Sequence, residues 1–179
     1  MLKKTLIVLA VLVIAFVVYV AQRPADFRIE RSTTISAPAP VVFARVNDLR
    51  QWQEFSPWAK LDPAAKISFA GPQTGVGSAF TWAGNSDVGE GTMTITESKP
   101  AELVRFRLDF LKPMESTGTA EFTFKPAGNG TTVTWSMFGK NNFIGRAFCV
   151  FMDMDKMVGG QFEEGLAKLK TLSEAAAKK

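Results

Sequence analysis

Apolar and polar positions along this chain follow three different rhythms. From Leu6 to Ala21 there is no charge at all, and most residues are aliphatic. From about residue 26 to 138, short stretches alternate with a period near two, the mark of half-buried strands. From 142 to 179 the period lengthens, and Phe151, Met154, Val158, Phe162, Leu166, Leu169 and Leu172 recur at steps of three and four. That spacing lays one apolar stripe along a helix, with Lys156, Glu163, Glu164, Lys168 and Lys170 mostly toward water. The pattern predicts a single long C-terminal helix. Gly159 and Gly160 interrupt it, each at about 1 kcal/mol relative to Ala. A close approach, a bend or open space beside the helix would account for them.

The first strand, 26–35, sets Phe27, Ile29, Thr33 and Ile35 against Arg28, Glu30, Ser32 and Thr34. Arg31 falls on the apolar side, which calls for a place near the strand's mouth or a bulge. Ser36 is positioned to cap a short helix whose first turn tolerates Pro38 and Pro40. A second helix is predicted at 49–55, stopped by Ser56-Pro57. Further strands are predicted at 66–70, 78–82, 88–98, 103–110, 116–125 and 131–138. Turn signals separate them, among them 83–86, Lys99-Pro100 and 126–130. The inward set comprises Phe80, Trp82, Met93, Phe106, Phe122, Trp135 and Met137 from the strands, and Phe151, Met154 and Val158 from the helix. Strand parity is the same for a filled core and for a lined cavity, so both readings stand at this point.

Composition narrows the chemistry. There is no histidine, which removes histidine bases, His-containing triads and histidine metal sites. Cys149 is the only cysteine, so neither an intrachain disulfide nor a zinc cluster can form. Between Phe148 and Val150-Phe151 it reads as a buried, inert thiol. The formal charge is +4, but without Lys3, Lys4 and Arg23 the remainder carries 18 basic and 17 acidic residues, scattered. That distribution argues against a nucleic-acid partner. No GxxxxGK[ST], HExxH or CxxC occurs, and the glycine-rich stretch 71–77 lacks the lysine and following helix of a phosphate cradle.

Lys3 and Lys4 precede the apolar run, and residues 5–21 are about long enough to cross a bilayer. A cleaved signal peptide has a similar layout, but bulky Tyr19 occupies the position where cleavage before Gln22 would want a small residue. The expected organisation is a retained single-pass anchor at 1–23, a folded domain at 24–174 and a charged tail at 175–179. Lys3 and Lys4 favour an extracytoplasmic domain, opposed by Arg23, Arg28 and Arg31.

Several short runs carry a family likeness: Ile35-Ser-Ala-Pro38, Val42-Phe43, Asn47-Asp48, Trp52, Phe55-Ser-Pro-Trp58, Phe80-Thr-Trp82, Gly89-Glu-Gly91, Lys99-Pro100, Thr132-Val-Thr-Trp135 and Gly165-Leu-Ala-Lys-Leu-Lys170. In that order, from Asp26 to Leu172, the chain resembles the SRPBCC superfamily, the START-like helix-grip proteins with polyketide cyclase/dehydrase-like members. The resemblance implies an α+β fold: a curved antiparallel sheet wrapped around a long C-terminal helix, with two short helices after the first strand. It also implies an apolar cavity for hydrophobic small molecules such as lipids, sterols, polyketides or aromatic compounds. Fold alone does not choose between binding and catalysis.

The expected ligand-binding residues are Trp58, Phe80, Trp82, Met93, Phe106, Phe122, Trp135, Met137, Phe151, Met154 and Val158. In the family layout Trp52 and Trp58 lie near the cavity mouth, where they would form an aromatic lip or wedge the short helices onto the sheet. Glu90, between two glycines, is the candidate acid or base, although its phase opposes Met93 and Ile95. Asp153 and Asp155 are two apart on a helix and share no face, so they make no metal site. Arg105, Arg107 and Asp109 read as a solvated strand face. The expected function is binding of a lipid, isoprenoid or aromatic molecule without turnover, with no cofactor, no metal and a membrane contact through residues 5–21. The alternatives are a cyclase or dehydratase using Glu90 or Glu54, and a protein-interaction module with a filled core.

Overall fold

The computed structural model describes residues 2–178. The apolar N-terminal run is one continuous helix, α1 (Leu2–Ala21). It leads into β1 (Asp26–Ile35), α2 (Ala39–Val46), α3 (Leu49–Phe55) and a single 3-10 turn at Trp58–Lys60. Six strands follow: β2 (Lys66–Ala70), β3 (Ala79–Ala83), β4 (Glu90–Lys99), β5 (Leu103–Lys112), β6 (Ser116–Ala127) and β7 (Gly130–Lys140). Two helices close the chain, α4 (Phe143–Phe151) and α5 (Met154–Ala176). The strands form one antiparallel sheet in the order β1-β7-β6-β5-β4-β3-β2. It is therefore a meander whose last strand pairs with the first, and α5 packs across it. This is the helix-grip architecture the sequence predicts.

Local sequence explains the joints. Asp48 caps α3 by accepting from the Arg50 amide at 2.9 Å. Ser36 does not cap α2 as expected. Pro38 holds the cap position with no side-chain bond, and the Ser36 amide instead donates to Glu174 on α5. The predicted single C-terminal helix is two helices. Met152 and Asp153 are extended, and Asp153 restarts the helix by accepting from the Lys156 amide at 3.0 Å. The apolar stripe continues in sequence across this break, so periodicity alone does not detect it; the Asp N-cap does.

Strand β1 pairs with β7 in unbroken register, from Asp26 opposite Lys140 to Ile35 opposite Thr131. No bulge shifts Arg31. It faces α5, where its guanidinium donates to the Asp155 and Glu163 carboxylates and to the Asp155 carbonyl. The outer sheet face carries a charge ladder instead. Arg105 on β5 lies between Glu97 on β4 and Glu121 on β6, and Arg107 pairs with Asp109 along its own strand.

The core lies between sheet and helices and is unusually aromatic. Phe162 of α5 stacks on Trp135 at 4.2 Å and 12°, and Trp135 stacks on Phe122 at 4.7 Å. Trp52 of α3 meets Phe55, Phe106, Phe122 and Trp135 at ring separations of 5.0 to 5.8 Å. Such pairs each contribute about 0.5–1.5 kcal/mol beyond the area they bury. They also fill one end of the interior.

Candidate ligand cavity

At the other end the space is not filled. A cavity of about 460 Å³ lies between the sheet, α3, the 3-10 turn and its following loop, and α5. Its floor is Trp52, Ala120, Trp135 and Phe162, all buried. Phe80, Trp82 and Met93 form one wall, and Trp58 with Ala59 the opposite one. Trp82 seats its ring against Gly91, where any Cβ would come within 2.5 Å, and fixes it by donating from Nε1 to the Val88 carbonyl at 3.0 Å. Toward the mouth come Val88, Leu108, Phe110 and Met137, which are part-buried, and then exposed Ile67.

The strand register locates this mouth. Phe110 lies opposite Gly91 and Ser116, next to the strand ends at Glu90 and Lys112. Met137 lies opposite Ile29 and Ala120, toward the ends at Lys140 and Asp26. The cavity thus opens at the end of the sheet from which α1 departs.

Polar groups inside are few. Gln53 and Ser56, one on α3 and one just after it, line a wall; the Gln53 amide nitrogen itself is buried away from the open space and has no hydrogen-bond partner. Two carboxylates sit on the rim loops. Asp62 is engaged on both oxygens, by the amides of Ala64 and Asn85 at 3.1 and 2.7 Å. Asp87 is exposed. An apolar chamber of this size suits a hydrophobic molecule.

The expected binding residues divide. Trp58, Phe80, Trp82, Met93, Trp135 and Met137 line the cavity. Phe106 and Phe122 do not: Trp52 lies across both and seals them into the filled end. Phe151 does not either, because the helix breaks after it and its side chain is 78% exposed. Met154 and Val158 pack against the core outside the cavity. Glu90 lies outside as well, paired with Lys112 at 2.8 Å, and Glu54 pairs with Arg45 at 3.2 Å. Cys149 is exposed rather than buried, since α4 turns away from the sheet. Trp52 is both wedge and floor. Leu108 and Phe110 were legible from strand parity; Gln53 looks like any solvated residue of a short helix, and sequence offers no signal for it.

This geometry defines a helix-grip protein with an apolar interior chamber. Residues 26–174 match the family described as polyketide cyclase / dehydrase and lipid transport, and the chain belongs to that family. No curated protein matches the sequence. Among solved structures, protein CV1439 from Chromobacterium violaceum aligns at TM-score 0.59 and 15% identity, over 85% of this chain and 99% of that one. The Aha1 dimer from Colwellia psychrerythraea aligns at TM-score 0.56 and 16% identity, over 83% of this chain and 96% of the other. The di-domain ARO/CYC StfQ from the steffimycin biosynthetic pathway aligns at TM-score 0.61 and 9% identity, over 87% of this chain and 53% of that one. At these identities the likeness is one of fold.

Proposed function

We propose that this protein binds a hydrophobic small molecule at a membrane surface and does not transform it. The observation that carries the reading is the cavity of about 460 Å³, walled by tryptophan, phenylalanine and methionine. The fitting ligand is a lipid, isoprenoid or aromatic compound. Binding without turnover is supported by the polar inventory. Neither Gln53 nor Ser56 is an acid or base at neutral pH. The two carboxylates that line the chamber stay on its rim, Asp62 held by two backbone amides and Asp87 exposed. The carboxylates on which a cyclase would rest, Glu54 and Glu90, are ion-paired outside the chamber.

The membrane component rests on α1, a 20-residue helix long and apolar enough to cross a bilayer by length and composition. We read it as a retained anchor with the domain on the extracytoplasmic side. Its C-terminal end supports retention: Val20 is fully buried, and Arg146 on α4 donates to the carbonyls of Ala21 and Arg23. Gentle purification of the full chain in nanodiscs, native mass spectrometry and extraction of the retained molecule test the binding reading. A co-purifying isoprenoid or acyl compound is expected. A clean apo mass, with no uptake of an apolar dye, would remove the reading and favour a protein-interaction module. Protease accessibility in sealed vesicles tests sidedness.

A further inference from the structure

Helix α4 has the composition of a core helix but no core to cover. Ile144, Phe148 and Phe151 project along one exposed side, and Ile144 and Phe151 are 59% and 78% exposed. Its only charged side chain, Arg146, is turned away to the end of α1. In water such a face is a standing liability.

Its attachment to α1 fixes its level. Phe151 lies against Phe16 with ring centroids 5.8 Å apart. At 1.5 Å per residue, the uncharged run 5–21 of α1 spans about 25 Å, no more than the thickness of a bilayer's hydrocarbon core. All of α1 up to Ala21 is then needed for crossing. Phe16 lies five residues inside that end, at a depth of about 7–8 Å. Phe151, in contact with it, shares that depth. The start of α4 stands higher, since Arg146 reaches the carbonyls of Ala21 and Arg23 at the end of α1.

We infer that α4 descends beside α1 through the membrane interface, from the level of Ala25, whose carbonyl accepts from the Asn141 amide, to that of Phe16, with Phe148 and Phe151 facing the acyl chains and the cavity mouth held against the lipid surface. The inference rests on the anchor reading of α1. The mouth opens at the strand ends from which α1 leaves, and the β5–β6 hairpin tip there exposes Leu111 and Met114. A ligand then passes between bilayer and chamber without crossing water.

The lone cysteine makes the test direct, because Cys149→Ser yields a cysteine-free chain. The full chain, reconstituted in phosphatidylcholine vesicles, would carry a nitroxide at one site at a time. The sites are Phe148→Cys or Phe151→Cys on α4, Leu12→Cys in α1, and Asn129→Cys in the β6–β7 turn at the opposite end of the sheet. The expected result is that the α4 labels, like the α1 label, collide several-fold more with oxygen than with a nickel chelate relative to the turn label. Aqueous α4 labels beside a lipid-exposed Leu12 label would overturn the inference and leave the anchor intact. An aqueous Leu12 label would overturn the anchor reading and this inference with it. Spin–spin broadening between α4 labels would mean that a second copy covers the face, which also overturns it.

Discussion

The Arg31 guanidinium occupies the space that a side chain on Gly159 would need: a Cβ there would lie 2.1 Å from Nη2. Strand β1 and helix α5 can meet this closely only because one residue has no side chain and the other reaches over it to Asp155 and Glu163. The helix accepts the glycine's cost of about 1 kcal/mol in exchange for that clamp. The sign of a substitution therefore depends on the partner. Gly159→Ala should destabilise the wild-type chain, because the guanidinium must leave its carboxylates. In an Arg31→Ala background the same change should stabilise it by up to about 1 kcal/mol, from helix propensity alone. Urea unfolding of the four chains checks this, and an unchanged sign would refute the clamp. Gly160 faces open space, and nothing in the structure explains it.

The clamp also sets an acid dependence. Asp155 titrates below its ordinary value of 3.8, chiefly through the hydrogen bond from Arg31, with Arg31's charge adding and desolvation opposing. Glu97 titrates below 4.5, chiefly through its hydrogen bond with Lys99, and the Arg105 charge adds to it. Across the interval beneath those ordinary values the unfolded chain binds protons that the native chain does not, so stability rises with pH there. The contribution is complete above the ordinary values and is lost as pH falls through the lowered ones. Asp155→Asn should flatten the loss of stability between about pH 5 and pH 2. The effect is small, because both carboxylates are solvent-screened. Urea midpoints measured across that range for both chains would expose an unaltered slope.

The alternation of Val104, Phe106, Leu108 and Phe110 predicts a strand and its inner face, and the family runs from Ile35 to Lys170 predict how the pieces assemble. Both hold because period and turn chemistry are local properties. What was not legible depended on distant partners. Phe106 and Leu108 share one strand face, yet one is sealed and the other lines the cavity, because Trp52 from α3 covers only the first. Arg31 on the apolar side calls for the strand's mouth or a bulge, and its actual reason, the acidic residues of α5 that face it, lies more than 120 residues away in sequence. Phe151 continues the helical stripe, but Asp153 caps a new helix behind it and sends Phe151 to Phe16. Side-chain parity reports a face; it does not report what arrives to cover it.

Filling the floor should close the chamber without harming the fold. Ala120 is buried on β6 with the cavity in front of it. Ala120→Met puts a flexible apolar side chain into that space. The expected result is at least a tenfold loss of affinity for an apolar fluorescent probe, about 1.4 kcal/mol, with a thermal midpoint unchanged or raised. Probe binding that survives in a folded variant would mean that the probe sits elsewhere, and the cavity would lose its role.

Gln53 tests the wall of the chamber. Its amide nitrogen is buried without a partner and shows no surface to the cavity, a state that costs about 1–3 kcal/mol. Gln53→Leu replaces the amide with an apolar group of similar size, so the protein should become more stable by about 1 kcal/mol or more. Because that nitrogen does not face the chamber, a long-chain ketone and a hydrocarbon of the same size should keep their relative affinities for the variant. Urea unfolding and calorimetric titration of both probes against both chains read the two effects. A selective loss of the ketone would mean that the amide reaches the ligand, and that recognition in the chamber is polar as well as apolar.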